Sequence, residues 1–421
     1  MMSENTQKYR FLTKLIPGRQ KRRIVLLTGA RQTGKTTLAK KAYADLRYIN
    51  LDAPENREFL NAVSSDAWHK DIGDAVIDEA QKEPLVFEKI KYAYDAGNIA
   101  FQVLLGSSQI LLLKKIRESL AGRVSIYELW PLMMSELYTN LEDADVKSPV
   151  IEHLFSDKNL DNVFENLPGV LLGSDNSIRR RAESYLLKWG GMPALLPLSD
   201  EDRWKWLKDY EYTYLERDLA DLSRLDDLGP FRKFQKLAAL RSGNLLNYSE
   251  LARDTSISVD TARRYLEYLA VSYQVILVQP YFRNITSSTV KTPKIYWLDI
   301  GLMRQLCGFK GDDFGNIYET MIVGELVKWI KTMQKDAEVY FYRTRSGLEL
   351  DILLKTNSGI IGMEIKGRKN ITAADTRPMR DIAKKLGKEW RGGMVIYKGD
   401  IIGKICEPSI WAVPSYRLFT A

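Results

Sequence analysis

The first third of the chain alternates short apolar runs with more polar segments. The apolar runs are typical of strands that are buried on both faces of a sheet, and the segments between them have helical character. The pattern predicts five strands, at residues 24–27, 48–52, 75–79, 101–105 and 124–127. Regular alternation of this kind predicts an α/β fold with a parallel sheet, covered by helices on both faces, whose ligand lies at the carboxyl ends of the strands.

A different spacing begins near residue 231. Apolar residues spaced for a helix stop at Gly243, and Ser258 is placed to cap a longer helix further along. The pattern predicts helices over residues 231–240, 247–254 and 259–271, followed by strands over 274–278 and 294–298. Two short helices, a tight turn, a longer helix and a two-stranded wing predict a winged helix-turn-helix.

The last third of the chain combines one helix with several strands. Residues 317–327 have an amphipathic helical pattern that carries Glu319 and Glu325. Strands are predicted at residues 339–343, 347–354 and 360–366, with a tight turn between the last two. This arrangement predicts a second α/β unit at the end of the chain.

Composition and charge limit the class of protein. The 421 residues are 45% hydrophobic and 28% charged, which is ordinary for a soluble protein of several domains. The net charge of +8, with a pI near 9.1, favours a polyanionic partner. Two distant cysteines, Cys307 and Cys406, argue against disulfides and zinc, and we expect both to be buried in a reducing cytosol. Without a signal peptide or a long apolar run, a cytoplasmic protein is expected.

One motif lies between the first predicted strand and the helix after it, where residues 29–36 fit G-x-x-x-x-G-K-[ST] at every position. In such a loop the backbone N–H groups surround the β- and γ-phosphates, and the helix N-terminus adds a positive dipole. Lys35 is predicted to reach the phosphate oxygens and the Thr36 hydroxyl to ligate Mg²⁺. We expect ATP and Mg²⁺ as cofactors. The candidate nucleotide-binding residues are Gly29, Ala30, Arg31, Gln32, Thr33, Gly34, Lys35, Thr36 and Thr37.

Two carboxylates end the third predicted strand, at the same edge of the sheet as the phosphate loop. Asp78 is predicted to hold the Mg²⁺ shell, and Glu79 to orient and polarise the attacking water. The next strand ends in a polar run in which Ser107, Ser108 or Gln109 either senses the γ-phosphate or is an ordinary turn residue. Together with Lys35, these residues form the predicted catalytic set.

The chain resembles a widespread prokaryotic family of AAA-type (AAA+) P-loop ATPases that carries a C-terminal domain of unknown function. The resemblance rests on motifs at residues 29–37, 105–108, 120–123, 130–132, 190–193, 214–218, 241–247 and 293–302. It implies a core ATPase sheet with a helical lid, in which Arg123 contacts nucleotide in cis or from a neighbouring subunit. Arg217 is a second candidate for the trans-acting arginine finger, and either arginine could instead be a structural ion-pair residue. Rings are common for such modules, so a homo-oligomer is expected.

The strands of the last third place acids as PD-(D/E)XK nucleases do. Side chains alternate across a strand, so Glu364 and Lys366 share a face, and a hairpin brings Asp351 opposite Glu364. Two or three carboxylates would hold Mg²⁺, with Glu319 as the helix acid and Glu325 in reserve, while Lys366 orients water or stabilises the phosphate. The alternative is a nuclease-like fold that serves binding or assembly and does not cut.

The third helix of the winged helix carries the predicted DNA contacts. Thr261, Arg264 and Tyr268 share one face, and Arg263 lies beside them. The alternative is a protein-docking element inside the ATPase. We divide the chain into an N-terminal tail 1–20, a P-loop ATPase core 21–140, a helical lid and connector 141–228, a winged helix 229–290 and a nuclease-like domain 291–421.

These features predict an ATP-hydrolysing AAA+-type protein that acts on DNA and remodels or processes branched DNA, with no membrane partner. The competing hypothesis is a nucleotide-controlled signalling or assembly switch whose C-terminal domains bind a protein and do not cut DNA. A metabolic phosphotransferase is disfavoured, because no acceptor-substrate module is evident and Glu79 is placed for water.

Overall fold

The computed structural model describes residues 7–106, 119–141, 146–215, 228–281, 292–311, 316–344 and 347–421. Across these ranges, no helix combines the length and the apolar character that crossing a membrane requires.

The first sheet has five parallel strands in the order β2-β3-β4-β1-β5. The strands are β1 Arg23–Thr28, β2 Arg47–Asn50, β3 Ala75–Asp78, β4 Phe101–Leu105 and β5 Val124–Glu128. Thus the five predicted strands and the parallel α/β sheet are confirmed. Since β4 lies between β1 and β3, the carboxyl ends of these three strands meet at one edge.

Helices cover this sheet on both faces. They are α1 Lys35–Ala42, α2 Pro54–Ala62, α3 Trp68–Asp71 and α4 Leu85–Asp95. Alternate residues of β1 contribute to different cores, with Leu26 on one face and Val25 on the other. Both faces of each central strand are therefore buried, which explains why these strands are continuous apolar runs.

Short helices connect the first sheet to the rest of the chain. They are α5 Met134–Tyr138, α6 Leu160–Phe164, α7 Ser174–Trp189 and α8 Asp200–Tyr210, followed by a π-helical turn, Glu211–Leu215. Single 3₁₀ turns occur at Phe11–Lys14, Ala80–Lys82, Val150–Phe155, Pro193–Leu195, Ala373–Thr376 and Gly387–Glu389.

Three helices and two antiparallel strands follow, as predicted. They are α9 Gly229–Leu240, α10 Tyr248–Thr255, α11 Val259–Val271, β6 Val275–Pro280 and β7 Lys294–Trp297. Ser258 caps α11, since its Oγ accepts a hydrogen bond from the Thr261 N–H at 3.1 Å. The predicted helix positions and the cap are confirmed.

The second sheet has eight strands in the order β12-β13-β11-β10-β9-β8-β6-β7. Its further strands are β8 Ala337–Arg343, β9 Glu349–Thr356, β10 Gly359–Lys366, β11 Trp390–Tyr397, β12 Gly403–Cys406 and β13 Ile410–Pro414. The helices of this region are α12 Ile300–Cys307, α13 Ile317–Thr332, α14 Arg377–Leu386 and α15 Ser415–Leu418. Because β6 pairs with β8, the predicted segments 229–290 and 291–421 share one sheet.

Helix α13 differs from the sequence-based expectation. Its pattern predicted an amphipathic helix, yet fourteen of its sixteen residues are buried. It lies in the largest hydrophobic core, which draws residues from Phe11 to Phe419. A helix packed on all sides needs no polar face, so its charged residues must find partners inside the protein.

Both cysteines also differ from the expectation, because Cys307 and Cys406 are free and only half-buried. Burial still raises the pKa of the Cys307 thiol to about 11.

Candidate nucleotide site and C-terminal carboxylate cleft

The phosphate loop joins the end of β1 to the start of α1. Its backbone is left-handed at Gln32 (φ 62°) and Gly34 (φ 94°), and Gly29 has a φ of 144°. A Cβ atom at Gly29 would lie 2.1 Å from the carbonyl oxygen of Leu129. Only glycine fits this close approach, which explains the first glycine of the motif.

Lys35 is held over the loop from which it starts. Its ammonium donates hydrogen bonds to the carbonyl oxygens of Gly29 at 2.9 Å and Ala30 at 2.7 Å. The side chain of Thr33, fully buried, also donates to Ala30 O, at 2.9 Å. The loop is therefore preorganised, with a buried cation at its centre.

Asp78 joins the loop to the end of β3. Its Oδ2 accepts hydrogen bonds from Thr36 Oγ1 at 2.7 Å and from the Tyr48 hydroxyl at 2.6 Å. Burial and the Asp78 carboxylate raise the pKa of Tyr48, so this hydroxyl remains a donor. Tyr48 was not among the predicted site residues, although β2 pairs with β3 at Asn50 and Asp78. Thr36 and Asp78 present a hydroxyl and a carboxylate together, which fits the oxygen ligands that Mg²⁺ takes.

Glu79 follows in a left-handed conformation, with φ 54° and ψ 39°. A non-glycine residue in this region is held against a cost of about 1–3 kcal/mol, and such residues concentrate at functional sites. Its N–H donates to Asp78 Oδ1 at 2.9 Å, and its Oε2 accepts from Gln81 Nε2 at 2.5 Å. The strand end thus presents both predicted carboxylates at the edge where the loop lies.

The other predicted catalytic residues have different outcomes. Ser108 and Arg217 lie outside the described residues. Arg123 precedes β5, whose first residue pairs beside Ile24, so it lies at the amino-terminal edge of the sheet. The phosphate loop leaves the opposite edge, about 15 Å away along the strands. The expected contact in cis is therefore incompatible with this position, while contact with a neighbour stays a prediction.

Arg123 has a partner at that edge. Its Nε and Nη2 atoms lie 2.6 and 2.9 Å from the two carboxylate oxygens of Asp95. This bidentate pair lowers the pKa of Asp95.

A cavity of about 730 Å³ opens beside the phosphate loop. Apolar side chains from the N-terminal segment, α1 and the connector form its wall, namely Ile16, Pro17, Leu38, Tyr43, Leu196 and Pro197. Arg10 closes one side, since it donates to Thr33 O at 3.3 Å and pairs with Glu136 at 3.3 Å. Residues 10–18 are therefore structural, whereas the sequence analysis treated them as part of a tail. The cavity could not be predicted because its wall comes from three distant segments.

The middle of the chain touches the strands that carry the phosphate loop. The Tyr273 hydroxyl lies 3.3 Å from Glu128 Oε1 and 3.5 Å from Thr28 Oγ1, at the ends of β5 and β1. Its ring packs edge-on against Trp130, with centroids 4.9 Å apart. Burial raises the pKa of Glu128. The Tyr210 hydroxyl, from α8, donates to Arg31 O at 3.2 Å.

The C-terminal acids line a cleft of about 400 Å³, to which Glu319, Asp351 and Glu364 all contribute. The register of β9 with β10 ends with Ile352 opposite Met363, so Asp351 and Glu364 come next along the two strands, consistent with the prediction. Asp351 Oδ2 accepts a hydrogen bond from the Ile365 N–H at 2.8 Å. Burial and the charge of Glu364 raise the pKa of Asp351 well above its usual range.

Lys294 of β7 reaches into this cleft, a contact that the sequence analysis missed. Its Nζ lies 3.3 Å from Glu319 Oε1 and 3.1 Å from Glu349 Oε1. The Tyr296 hydroxyl donates to the same Glu319 oxygen at 2.6 Å. A lysine inside a predicted strand gave no local signal that it would pair with acids from later elements.

The predicted nuclease ligands are therefore engaged with protein donors. Lys366 Nζ lies 2.5 Å from Glu364 Oε1, and Lys294 neutralises Glu319. Within the described ranges, no three or more acidic, histidine or cysteine side chains are arranged to hold a metal ion. The predicted Mg²⁺ site at Asp351, Glu364 and Glu319 does not fit the ion as these side chains lie.

Glu325, the reserve acid, is in a different place. It is 2% exposed, accepts a hydrogen bond from the Met134 N–H at 2.6 Å and pairs with Lys328. It links α13 to α5, which is a structural role.

The predicted DNA contacts on α11 are only partly exposed. Arg263 and Arg264 reach solvent, and the Arg263 guanidinium lies 4.7 Å from the centre of the Tyr248 ring. The Thr261 hydroxyl is 2.9 Å from Ser258 Oγ in the helix cap, and Tyr268 packs partly against the core.

Comparison with known families agrees with the geometry of the first sheet. Residues 21–138 match a family described as an AAA domain. These residues are therefore similar to an AAA-type P-loop domain. The AAA domain is followed by two matches to domains of unknown function, DUF8612 over residues 180–313 and DUF4143 over residues 314–418.

Similar proteins cover most of the chain. An uncharacterized protein of Mycobacterium tuberculosis is 28% identical over 407 residues, which are 94% of this chain and 81% of that protein. One of Methanocaldococcus jannaschii is 24% identical over 365 residues, 81% of this chain and 73% of that protein. A solved Walker-type ATPase of Pyrococcus abyssi aligns with 70% of this chain and 99% of its own, at 18% identity and a TM-score of 0.39.

Proposed function

We propose that the AAA domain hydrolyses ATP and that the chain uses this cycle to act on DNA. The observation that carries the proposal is the 2.7 Å hydrogen bond from Thr36 to Asp78, because it joins the phosphate loop to the carboxylate strand. These two residues would hold Mg²⁺, which supplies neutralisation of the phosphate charge when bound. Tyr48 orients Asp78 by donating to the same oxygen.

Lys35 and Glu79 have separate roles in this proposal. The Lys35 ammonium, held by two loop carbonyls, is positioned for the β- and γ-phosphate oxygens. Glu79 orients the attacking water, and its hydrogen bond from Gln81 fixes the carboxylate beside Asp78. Backbone N–H groups turned inward at the left-handed positions Gln32 and Gly34 bind the phosphates.

We place the nucleoside half of ATP in the cavity beside the loop. Gln32, Thr33, Gly34 and Thr37 line both the loop and the cavity, so phosphates and base occupy one continuous site. The apolar wall suits a base, and Arg10 supplies polar contacts at its edge. Because the connector contributes Leu196 and Pro197, it closes over the nucleotide as a lid.

Two features support DNA as the partner. Three helices and the β6–β7 hairpin follow the order of a winged helix, and α11 carries exposed Arg263 and Arg264. The nearness of Asp351 and Glu364 in the cleft supports a likeness to PD-(D/E)XK nucleases. Since Lys366 pairs with Glu364 and Lys294 with Glu319, the proposal is DNA contact without metal-dependent cleavage.

The test measures ATP hydrolysis alone and with single-stranded, duplex, forked and four-way DNA, with Lys35→Ala as the blank. Stimulation by a DNA form supports the proposal and identifies the preferred structure. If no form of DNA changes the rate of ATP hydrolysis and none binds the protein, the proposed action on DNA is wrong. The proposed ATP hydrolysis would be unaffected by that result.

A second function, a nucleotide-controlled assembly switch, is favoured by the Tyr273 contact. Tyr273 bridges Thr28 and Glu128 at the base of the phosphate loop, so the segments after it are placed to respond to bound nucleotide. We propose a homo-oligomer for either function, with Arg123 or Arg217 contacting the neighbour's nucleotide. Size-exclusion chromatography with light scattering, with and without ATP, measures the mass of the assembly. A monomeric mass under both conditions argues against the homo-oligomer.

A further inference from the structure

Helix α14 has two opposite faces. Its apolar side chains, Met379, Ile382, Ala383 and Leu386, are buried. They pack against the second sheet in a core that includes Leu353, Ile360 and Val395. Because this packing fixes the rotation of the helix, the opposite face must lie toward solvent.

That opposite face is a row of cations. Arg377, Arg380 and Lys384 recur at helical spacing, and Lys388 continues the row in the turn that follows. All four are exposed, and none has a hydrogen-bond or ion-pair partner in the part of the chain that the structure describes. We call these four residues the basic stripe.

The stripe lies in a basic part of the protein. Residues 366–391 hold nine Lys and Arg against three Asp and Glu, a local charge of +6 in a chain whose net charge is +8. Like charges three or four residues apart on a helix repel one another. Asp381 is the one acid within this row, so a net positive charge remains that a polyanion would neutralise.

We propose that the basic stripe binds the phosphate backbone of DNA, an inference that rests on the proposed action on DNA. From Arg377 to Lys388 the row extends about 16 Å at 1.5 Å per residue, and each DNA strand carries one charge per about 3.4 Å of axis. An anionic membrane fits less well, because the apolar face of α14 is buried in the protein and cannot enter lipid.

The position of the stripe connects it to the carboxylate cleft. Arg368 pairs with Asp375 at 2.6 Å in the loop between β10 and α14. Asp375 lies near Glu364, since its charge adds to the rise that burial causes in the Glu364 pKa. Because Arg377 follows two residues later, the stripe begins near the rim of the cleft, and a duplex on the stripe extends toward it.

The experiment compares two variants that lose the same charge. The stripe variant combines Arg377→Gln, Arg380→Gln, Lys384→Gln and Lys388→Gln. The control combines Lys70→Gln, Lys158→Gln, Arg181→Gln and Lys205→Gln, four exposed cations elsewhere on the surface. Duplex DNA affinity is measured by fluorescence anisotropy from about 50 to 200 mM salt, and ATP hydrolysis without DNA reports correct folding.

Each phosphate contact contributes about 0.9 to the slope of log affinity against log salt. We expect the slope for the stripe variant to be smaller than the wild-type slope by about 3.6. Across this fourfold range of salt, the DNA affinity of wild type should therefore fall about 150-fold more than that of the variant. The control should keep the wild-type slope. Equal losses in both variants would show a response to overall charge and would overturn the inference.

The remaining outcomes separate the inference from the proposed function. DNA binding by wild type with an unchanged slope in the stripe variant overturns the stripe and leaves the action on DNA intact. Wild type that binds no DNA at the lowest salt overturns both. Binding to anionic phosphatidylserine vesicles without binding to DNA assigns the stripe to a membrane surface and overturns the nucleic-acid assignment.

Discussion

Lys294→Met tests whether one ammonium group holds the carboxylate cleft together. In the native protein its Nζ lies 3.3 Å from Glu319 Oε1 and 3.1 Å from Glu349 Oε1, and its side chain is 5% exposed. Methionine retains an unbranched apolar stem and removes the charge. The substitution therefore isolates the electrostatic contribution of Lys294.

The expected loss of stability is large. Removing one partner of a buried ion pair costs about 3–5 kcal/mol, because the other charge stays buried without compensation. Glu319 would keep the hydrogen bond from Tyr296 and lose its cation. For a unit of this size the loss corresponds to a decrease in Tm on the order of 10 °C.

The loss should also depend on pH. Burial and Glu364 raise the pKa of Asp351, and Lys294 opposes that rise. An acid whose pKa is higher in the folded protein than in the unfolded chain favours folding while it is protonated. This contribution is complete below the pKa of the unfolded chain and is lost as the pH rises through the raised pKa of the folded protein. Without Lys294 the pKa of Asp351 rises further, so the variant's deficit should be smaller near pH 5 and larger near pH 8.

The assay is thermal unfolding of wild type, Lys294→Met and Lys355→Met at these pH values. Lys355, on β9 of the same sheet, is the matched control, since its pair with Glu338, at 3.1 Å, is exposed (51% and 57%) and worth at most about 1 kcal/mol. A deficit no greater than that of Lys355→Met would refute the reasoning, as would a deficit that grows toward low pH.

Three further predictions concern the AAA domain. Glu79→Gln should lower ATP hydrolysis by at least about 10²-fold while fluorescent-nucleotide binding persists, and an equal loss of binding would contradict its role with water. Gly29→Ala places a Cβ atom 2.1 Å from Leu129 O, so equilibrium dialysis should show loss of ATP binding. Unchanged binding would show that the backbone after β5 shifts to make room for the methyl group. If Arg123 is the arginine finger, Arg123→Ala should lower ATP hydrolysis without weakening ATP binding. Asp95→Asn, which removes the partner of Arg123, is the matched control. If Arg123 has only an ion-pair role, Asp95→Asn should lower hydrolysis as much as Arg123→Ala does.

Local features of the sequence predicted the elements well, because their causes are local. The five strands of the AAA domain are continuous apolar runs since both of their faces are buried, and Ser258 caps α11 through a contact three residues away. The Thr36–Asp78 contact could also be predicted, because parallel strands bring their carboxyl ends to one edge.

Contacts between distant segments could not be predicted in this way. Tyr48, Arg10 and Lys294 belong to strands or loops whose patterns give no sign of the acids that they meet. Helix α13 was predicted as amphipathic because it carries charged residues, yet Glu325 and Lys328 satisfy each other inside the core. Pairing of this kind depends on the tertiary fold, so a charged residue alone does not mark a solvent-facing position.

Helix α13 connects the two sites. In the second half of the helix, Glu325 accepts from Met134 N–H and Lys328 donates to Leu132 O, both in the segment that follows β5. Glu319, about 14 Å earlier along the same helix, lies in the carboxylate cleft. Separating the helix from this segment would break both hydrogen bonds and leave buried polar groups unpaired, at about 1–3 kcal/mol each, so the helix should move together with this segment. On the proposed ATP cycle, we expect a shift at the end of β5 to be transmitted through this helix to the cleft.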